Sequence, residues 1–485
     1  MLPGRKNVLL TAEVYYGGGR LRLTKFFNGG KIFYTFMKMR KRKISVWQTL
    51  ALGYLVVILT GSVLLILPFA TAEGETTSYL GALFTSTSAT CVTGLSPYHT
   101  GSHWSLFGQI VILCLIQMGG LGFMTFVTAI LLIFRRGMGL GSRQTLLASA
   151  GGGKLAGLST LVKRIVIGSA LFEVAGAVAL SFRFVPDFGL ARGIYYSIFH
   201  SVSAFCNAGF DLLSFEGFGS LSYYALDPLV SITVCILIVL GGLGFCVWGD
   251  VIDCRLHFKK FQLNTKVVLI VSGILIVVAT AMFLGFEWNN KAYAGYNFWQ
   301  KLLLSFFNAV TPRTAGFYTT DPSALSESGY LLTVVLMFIG GSSGSTAGGL
   351  KVGTFGIIIM GMVGVFRGQR DLNIGKKRIE YSLVSQSLAI FAALLMILVT
   401  STLAICAIEH SSLATFEAVL YECASAICTV GLSMNLTSQL SATSQIILII
   451  LMYAGRVGIL TLALALAKKS KDPEIRYPVD TLLIG

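Results

Sequence analysis

One short stretch occurs four times in this chain, and that repetition constrains the fold more than any other feature. Residues 89–96 read ATCVTGLS, 204–211 read AFCNAGFD, 312–319 read PRTAGFYT and 426–433 read AICTVGLS. With their glycines in register, Gly94, Gly209, Gly316 and Gly431 lie 115, 107 and 115 residues apart. Each follows an apolar span and a short amphipathic run and precedes another apolar span, so one structural unit is used four times. A glycine at the same place in every copy points to a backbone conformation that a side chain would forbid. Four such turns inside a membrane imply a ring of carbonyl oxygens around an ion path.

The membrane follows from composition. The chain is 54% apolar and 12% charged, with a mean hydropathy of +0.77, and several apolar runs reach the ~20 residues that cross a bilayer. Its net charge of +16 raises the question of a nucleic-acid partner, which the placement of the charge answers. Segments 1–46, 135–164, 251–266, residue 351, 367–378 and 468–485 hold 31 of the 37 Lys and Arg residues. That bias is the positive-inside rule; it sets both termini in the cytoplasm and leaves no need for nucleic acid. Basic residues run through the first 46 positions without a short apolar core and cleavage site, so the N-terminus reads as retained. The nine cysteines show neither a disulfide framework nor zinc spacing. His99 and His103, four apart in an outer loop, read as solvated histidines rather than a metal site.

The expected fold class is an all-α polytopic membrane protein with four tandem helix–pore-helix–helix units around a single pseudo-fourfold pore. The divisions are a basic cytoplasmic tail (1–46), unit 1 (47–134), unit 2 (135–250), unit 3 (251–366), unit 4 (367–467) and a cytoplasmic C-terminal tail (468–485). Second spans are expected near 106–134, 228–250, 329–366 and 443–467. Short helices near 79–91, 194–206, 297–310 and 413–427 are too short to cross and read as re-entrant. Their C-terminal ends carry the negative end of the helix dipole, which favours a cation on the axis. In the N-terminal tail, residues 21–43 mix Phe, Tyr and Met with Lys and Arg. That mixture suits the anionic lipid of an inner membrane face, and a disordered basic tail is the equal alternative.

A second echo follows each turn. Residues 119–123 and 241–245 both read GGLGF, residues 340–351 read GGSSGSTAGGLK and residues 455–459 read GRVGI. In the first two copies small residues that let helices pack closely are the preferred reading. The third copy, with no bulky residue from 340 to 349, is expected to break its helix into a mid-membrane loop. Gly340, Gly341, Ser342, Ser343, Gly344, Ser345, Thr346, Ala347, Gly348 and Gly349, closed by Lys351, are the candidate gate. Arg456, a cation within a span, is expected to face the axis below the turns and to pair with carbonyls of this loop. Three residues before the glycines stand Cys91, Cys206, Arg313 and Cys428. The cysteines read as packing residues, and Arg313 as turned behind the filter onto carbonyls or a carboxylate. GSTAGGLK is not a phosphate loop, because Leu350 separates Gly349 from Lys351, and no enzyme motif is present.

With these motifs together, the chain resembles the Trk/Ktr/HKT superfamily of potassium transporters over residues 47–485, and within it the Ktr-type membrane subunit. The candidate filter is the carbonyls of Val92, Thr93, Gly94 and Leu95; Asn207, Ala208, Gly209 and Phe210; Thr314, Ala315, Gly316 and Phe317; and Thr429, Val430, Gly431 and Leu432. The resemblance implies potassium at these carbonyls, with glycine at 94 favouring potassium over sodium. It also implies a homodimer contact through RYPVDTLLIG at the C-terminus and a cytosolic ring of RCK-type subunits that binds ATP and ADP. The location implied is a bacterial inner membrane, with no organic cofactor in this chain. Sodium as an activator, coupled sodium/potassium symport, and a non-transporting sensor stay open.

Overall fold

The computed structural model describes residues 10–16, 19–28, 31–38, 45–122, 125, 126, 128, 158–213, 219–255, 257–369, 372–374 and 377–466. Residues 135–157 of the inner segment expected at 135–164, and the C-terminal tail 468–485 with its RYPVDTLLIG contact, lie outside the described residues. The chain divides into two units, Met1–Ser45 and Val46–Gly485. The first holds three antiparallel strands, β1 (Leu10–Tyr16), β2 (Gly19–Asn28) and β3 (Lys31–Lys38). Leu10 pairs with Lys25 and Tyr16 with Gly19; Leu21 pairs with Lys38 and Asn28 with Lys31. Paired strands stand where a disordered tail was one of the two alternatives; affinity of residues 21–43 for an anionic membrane face is a separate property. The Phe, Tyr, Thr and Val of these segments favour strands, and glycine pairs separate them in the sequence (17–18 and 29–30).

Among its described residues, the regular structure of the second unit is helical apart from a short hairpin, Leu372–Ile374 with Lys377–Ile379, in the basic loop 367–378. Its helices are α1 (Val46–Leu65), α2 (Tyr79–Cys91), α3 (Leu106–Leu121), α4 (Leu158–Phe188), α5 (Leu190–Phe205), α6 (Pro228–Leu243), α7 (Phe245–Asp253) and α8 (Leu263–Phe286). There follow α9 (Phe298–Val310), α10 (Glu327–Phe338), α11 (Val352–Phe366), α12 (Tyr381–Ile408), α13 (Phe416–Ile427), α14 (Ala442–Val457) and α15 (Ile459–Leu466). Among the described residues, α1, α4, α8 and α12 are long and apolar enough to cross a membrane, and up to six spans result if each bent pair counts as one. Their outward faces are apolar too: Val56, Ile167, Phe182, Val277 and Met396 are all exposed. That is the surface of a protein solvated by lipid, with polar backbone satisfied inside each helix.

The second spans are not the continuous helices expected. The α6–α7 pair bends by 90° and the α14–α15 pair by 93°. The bends fall at Gly244 and Gly458, whose φ values of 93° and 88° no side chain adopts comfortably, and α3 ends at Gly122 with φ 84°. In the third copy the interruption lengthens into the loop between α10 and α11. Serines cap the starts of α3, α10 and α14. At the outer ends, Glu287 after α8 accepts from Ser326 before α10, and Glu409 after α12 accepts from Ser441 before α14. These carboxylates tie α8 to α10 in the third copy and α12 to α14 in the fourth, and so fix the frame in which α9 and α13 sit.

Candidate functional site

The four short helices α2, α5, α9 and α13 end at the four glycine turns, and three of them end alike. Thr93 N–H bonds the Ser88 carbonyl, Ala208 N–H that of Ser203 and Val430 N–H that of Ser425, each at 2.8 Å. Val92, Asn207 and Thr429 donate three residues back to Ala89, Ala204 and Ala426. This is a Schellman closure, which needs a left-handed residue at its corner. Val92, Asn207 and Thr429 supply it with φ of 56°, 58° and 52°, and Thr314 takes φ 73° in the third copy. There the closure is looser, with Ala315 N–H bonding the Thr311 carbonyl at 3.0 Å. The β-branched Val92, Thr314 and Thr429 avoid this region, so strain of about 1–3 kcal/mol sits at those three corners, whereas an asparagine such as Asn207 tolerates it.

Two residues beyond each corner, Gly94, Gly209, Gly316 and Gly431 again have positive φ (100°, 69°, 80° and 94°). A Cβ on Gly94 would meet the Ala208 carbonyl oxygen at 2.5 Å, one on Gly209 the Ala315 oxygen at 2.8 Å and one on Gly316 the Val430 oxygen at 2.8 Å; one on Gly431 would strike the Thr93 oxygen. Each glycine thus abuts the carbonyl that precedes the next glycine, and the fourth returns to the first. All four glycines line one cavity of about 150 Å³, to which Asp211 contributes a carboxylate. Serines on the short helices hold the ring from behind: Gly94 N–H donates to Ser88 Oγ at 3.0 Å and Gly431 N–H to Ser425 Oγ at 2.9 Å. Ser203 Oγ–H donates to the Phe210 carbonyl at 2.7 Å, and Thr311 Oγ1–H to that of Phe317. Those two carbonyls, counted among the candidate filter oxygens, each have one lone pair engaged away from the ring.

Beneath the ring lies the loop of the third copy. Its neck is closed by Gly340 N–H to the Leu350 carbonyl (3.0 Å), Leu350 N–H to Phe338 (3.1 Å) and Val352 N–H to Gly341 (3.0 Å). Ser342 N–H bonds the Gly242 carbonyl at 2.8 Å and Phe245 N–H the Gly344 carbonyl at 2.9 Å, so the loop is stitched to the bend between α6 and α7. A Cβ on Gly348 would strike Thr429 Oγ1, and one on Gly340 would stand 3.4 Å from Thr314 Cγ2; the loop therefore lies directly against the third and fourth turns. Lys351 Nζ folds back onto the carbonyls of Ala347 (2.7 Å) and Gly348 (3.4 Å). Arg456 on α14 donates to the Thr346 carbonyl of the loop and, from its other nitrogen, to the Gly119 and Gly120 carbonyls at the end of α3. One guanidinium thus joins the fourth, third and first copies below the ring.

Comparison with known proteins now becomes informative. Residues 46–476 match the family model described as TrkH, cation transport protein. The chain is 39% identical over 455 residues to the potassium/sodium uptake protein NtpJ of Enterococcus hirae, covering 93% of this chain and all of that protein. It is 38% identical over 458 residues to Ktr system potassium uptake protein B of Bacillus subtilis, again covering 93% and all of it. This chain is a Ktr-type member of the TrkH family. The crystal structure of the potassium transporter TrkH from Vibrio parahaemolyticus shares its fold, with a TM-score of 0.67 at 19% identity over 89% of this chain and 87% of that one.

Several residues of this TrkH-family site differ from the sequence reading or escaped it. Among the described residues Arg313 finds neither a carbonyl nor a carboxylate for its side chain: its Nη2 donates to Ser272 Oγ on α8 at 3.0 Å. Ser272 falls where the α8 face turns inward, and nothing in the pattern of an apolar span marks it as a partner. His103 is buried rather than solvated, held by Glu75 (3.1 Å) and Thr77 (2.8 Å) and stacked on Tyr98 at 3.9 Å. Burial holds its imidazole pKa below the ordinary value despite Glu75. The serines Ser88, Ser203 and Ser425 were visible as SAxC in three copies, a signal carried by the repeat itself. Glu173 on α4 also escaped notice. Its carboxylate accepts from Gln117 at 3.0 Å, and Gln117 in turn accepts from Cys206 Sγ–H at 3.4 Å, the residue before the Asn207 corner.

Proposed function

We propose that this chain is the ion-translocating subunit of a Ktr-type potassium uptake system in a bacterial plasma membrane. Four pore units, 47–134, 135–250, 251–366 and 367–467, surround one path, with both termini in the cytoplasm. The observation that carries the reading is the closed order in which each glycine abuts the carbonyl before the next. Such carbonyls replace the hydration shell of a cation, and several neighbouring sites allow it to leave as well as enter. Three Schellman-closed helix ends aim their negative dipoles at the same place. Potassium then runs down the membrane potential, worth about 2.3 kcal/mol per 100 mV for each charge. The names of both relatives support potassium as the ion.

The loop 340–351 with Arg456 is the gate in this reading, since it lies under the ring and is tied to three copies at once. A cytosolic ATP/ADP-binding RCK-type ring would act on it through the basic inner loops, and two such chains would form a homodimer. A sodium-coupled mode is the second reading, favoured by the potassium/sodium name of the Enterococcus relative. The deciding experiment is rubidium and potassium uptake into liposomes holding the purified chain, with and without sodium. Potassium uptake driven by an imposed potential, in the absence of sodium, is expected. A fixed sodium-to-potassium ratio would replace it with symport, and no uptake at any sodium concentration would overturn transport altogether.

A further inference from the structure

The position three residues before each glycine is occupied by Cys91, Cys206 and Cys428 in three copies and by Arg313 in the other. All four side chains are buried, Arg313 at 8% exposure. Among the described residues Arg313 bonds only the neutral hydroxyl of Ser272, and its Nε has no partner. The described residues form no ion pair with it. It also borders a void of about 10 Å³ together with Gly341 of the loop and Gly242. A guanidinium stays protonated in proteins, so a full positive charge sits uncompensated in a low-dielectric setting, where its field reaches several residues.

We propose that Arg313 is a specificity-determining residue of the ring, weakening cation binding so that the ion leaves quickly. It stands just beyond the C-terminal end of α9, whose half negative charge would otherwise point at the ring like those of α2, α5 and α13. The guanidinium offsets that one end. Three helix ends hold the cation and the fourth is neutralised, which meets the requirement that no site along a conduction path bind too tightly. The charge also stands beside Gly341, so it acts at the boundary of ring and loop rather than at the cavity lined by the four glycines. The inference rests on the reading of the four turns as a cation filter.

The test replaces Arg313 by the residue of the other three copies. In Arg313→Cys and Arg313→Gln, the rubidium concentration for half-maximal uptake into liposomes should fall about tenfold, and the maximal rate should fall as exit slows. The rubidium concentration for half-maximal thermal stabilisation in detergent should fall in parallel. Ser272→Ala removes only the hydroxyl and leaves the guanidinium in place, so it should stay near the unmodified value. An unchanged or raised half-saturation in Arg313→Cys, or an equal shift in Ser272→Ala, overturns the proposal. Gly94→Ser in the same preparation separates the two layers. If it alters ion selectivity while Arg313→Cys leaves affinity unchanged, the filter stands and the role of Arg313 falls. If Gly94→Ser also leaves selectivity unchanged, the filter reading falls and the proposal with it.

Discussion

At the scale of single residues the site depends on positions where a Cβ is forbidden and positions where one is tolerated under strain. Gly94, Gly209, Gly316 and Gly431 were legible because their register repeats and because only glycine suits both the positive φ and the close approach. The corner residues were not. Val92 and Thr429 are β-branched, and propensity argues against the left-handed conformation they adopt; only the closure of the preceding helix end imposes it. Replacing Gly94 by Ser puts a Cβ against the Ala208 carbonyl and displaces one quarter of the ring. Discrimination of potassium over sodium should fall by roughly tenfold, ~1.4 kcal/mol. Reversal potentials in bi-ionic gradients measure it, and an unaltered ratio in well-expressed protein would remove Gly94 from the filter. Arg456 makes the complementary case. An intramembrane charge costs at least about 2.5 kcal/mol, and here the cost is offset by carbonyls of two other copies. Arg456→Gln cannot bridge both, so basal flux without any partner should rise roughly threefold or more. Flux equal to that of the unmodified protein, at equal surface expression, would leave the side chain a structural tie.

At the scale of elements, the short helices lie close to where the repeat placed them, because length and the glycine that follows leave little freedom. The bends at Gly244 and Gly458 were hidden by a real ambiguity. In GGLG and GRVG the first and last glycines have different duties, and a sequence reads them as one packing motif. Gly241 and Gly455 do pack: a Cβ on either would strike the carbonyl of Phe205 or Ile427. Gly244 and Gly458 instead take the positive φ that turns the chain by about a right angle. The third copy could be read further, since a run without bulky side chains cannot hold a helix at membrane depth. Its neck and its body are separable. Deleting residues 342–347 keeps the bonds of Gly340, Leu350 and Val352 and removes the carbonyl of Thr346 that Arg456 holds. Flux should then be high and indifferent to a cytosolic nucleotide-binding partner and to ATP against ADP. A deletion variant that reaches the membrane and still needs the partner for full flux would move the gate elsewhere.

At the scale of the whole molecule, the two units of the chain make different demands on sequence. The ring, the loop and Arg456 all lie within residues 46–466, and the family match also begins at residue 46. The first 45 residues carry 11 Lys and Arg among Phe, Tyr and Thr, a composition that fits a basic amphipathic segment and a basic sheet equally well. Charge bias bears on which side of a membrane a segment occupies, but strand pairing depends on alternation and on the glycines between the strands, so the sheet was missed. The two properties can be separated by experiment. The hydrogen bonds described for the four turns join residues within 46–466, so on removal of residues 2–45 potassium-over-sodium discrimination and the rubidium half-saturation should stay within about twofold of the intact chain, as for substitutions far from a site. Binding of the isolated tail peptide to anionic vesicles should be strong at low salt and fall as salt screens its basic residues, each worth about 1 kcal/mol near such a surface. Selectivity that shifts when the tail is removed would mean the ring is not complete within residues 46–466, and the closed order of the four glycines would then need the tail to hold it.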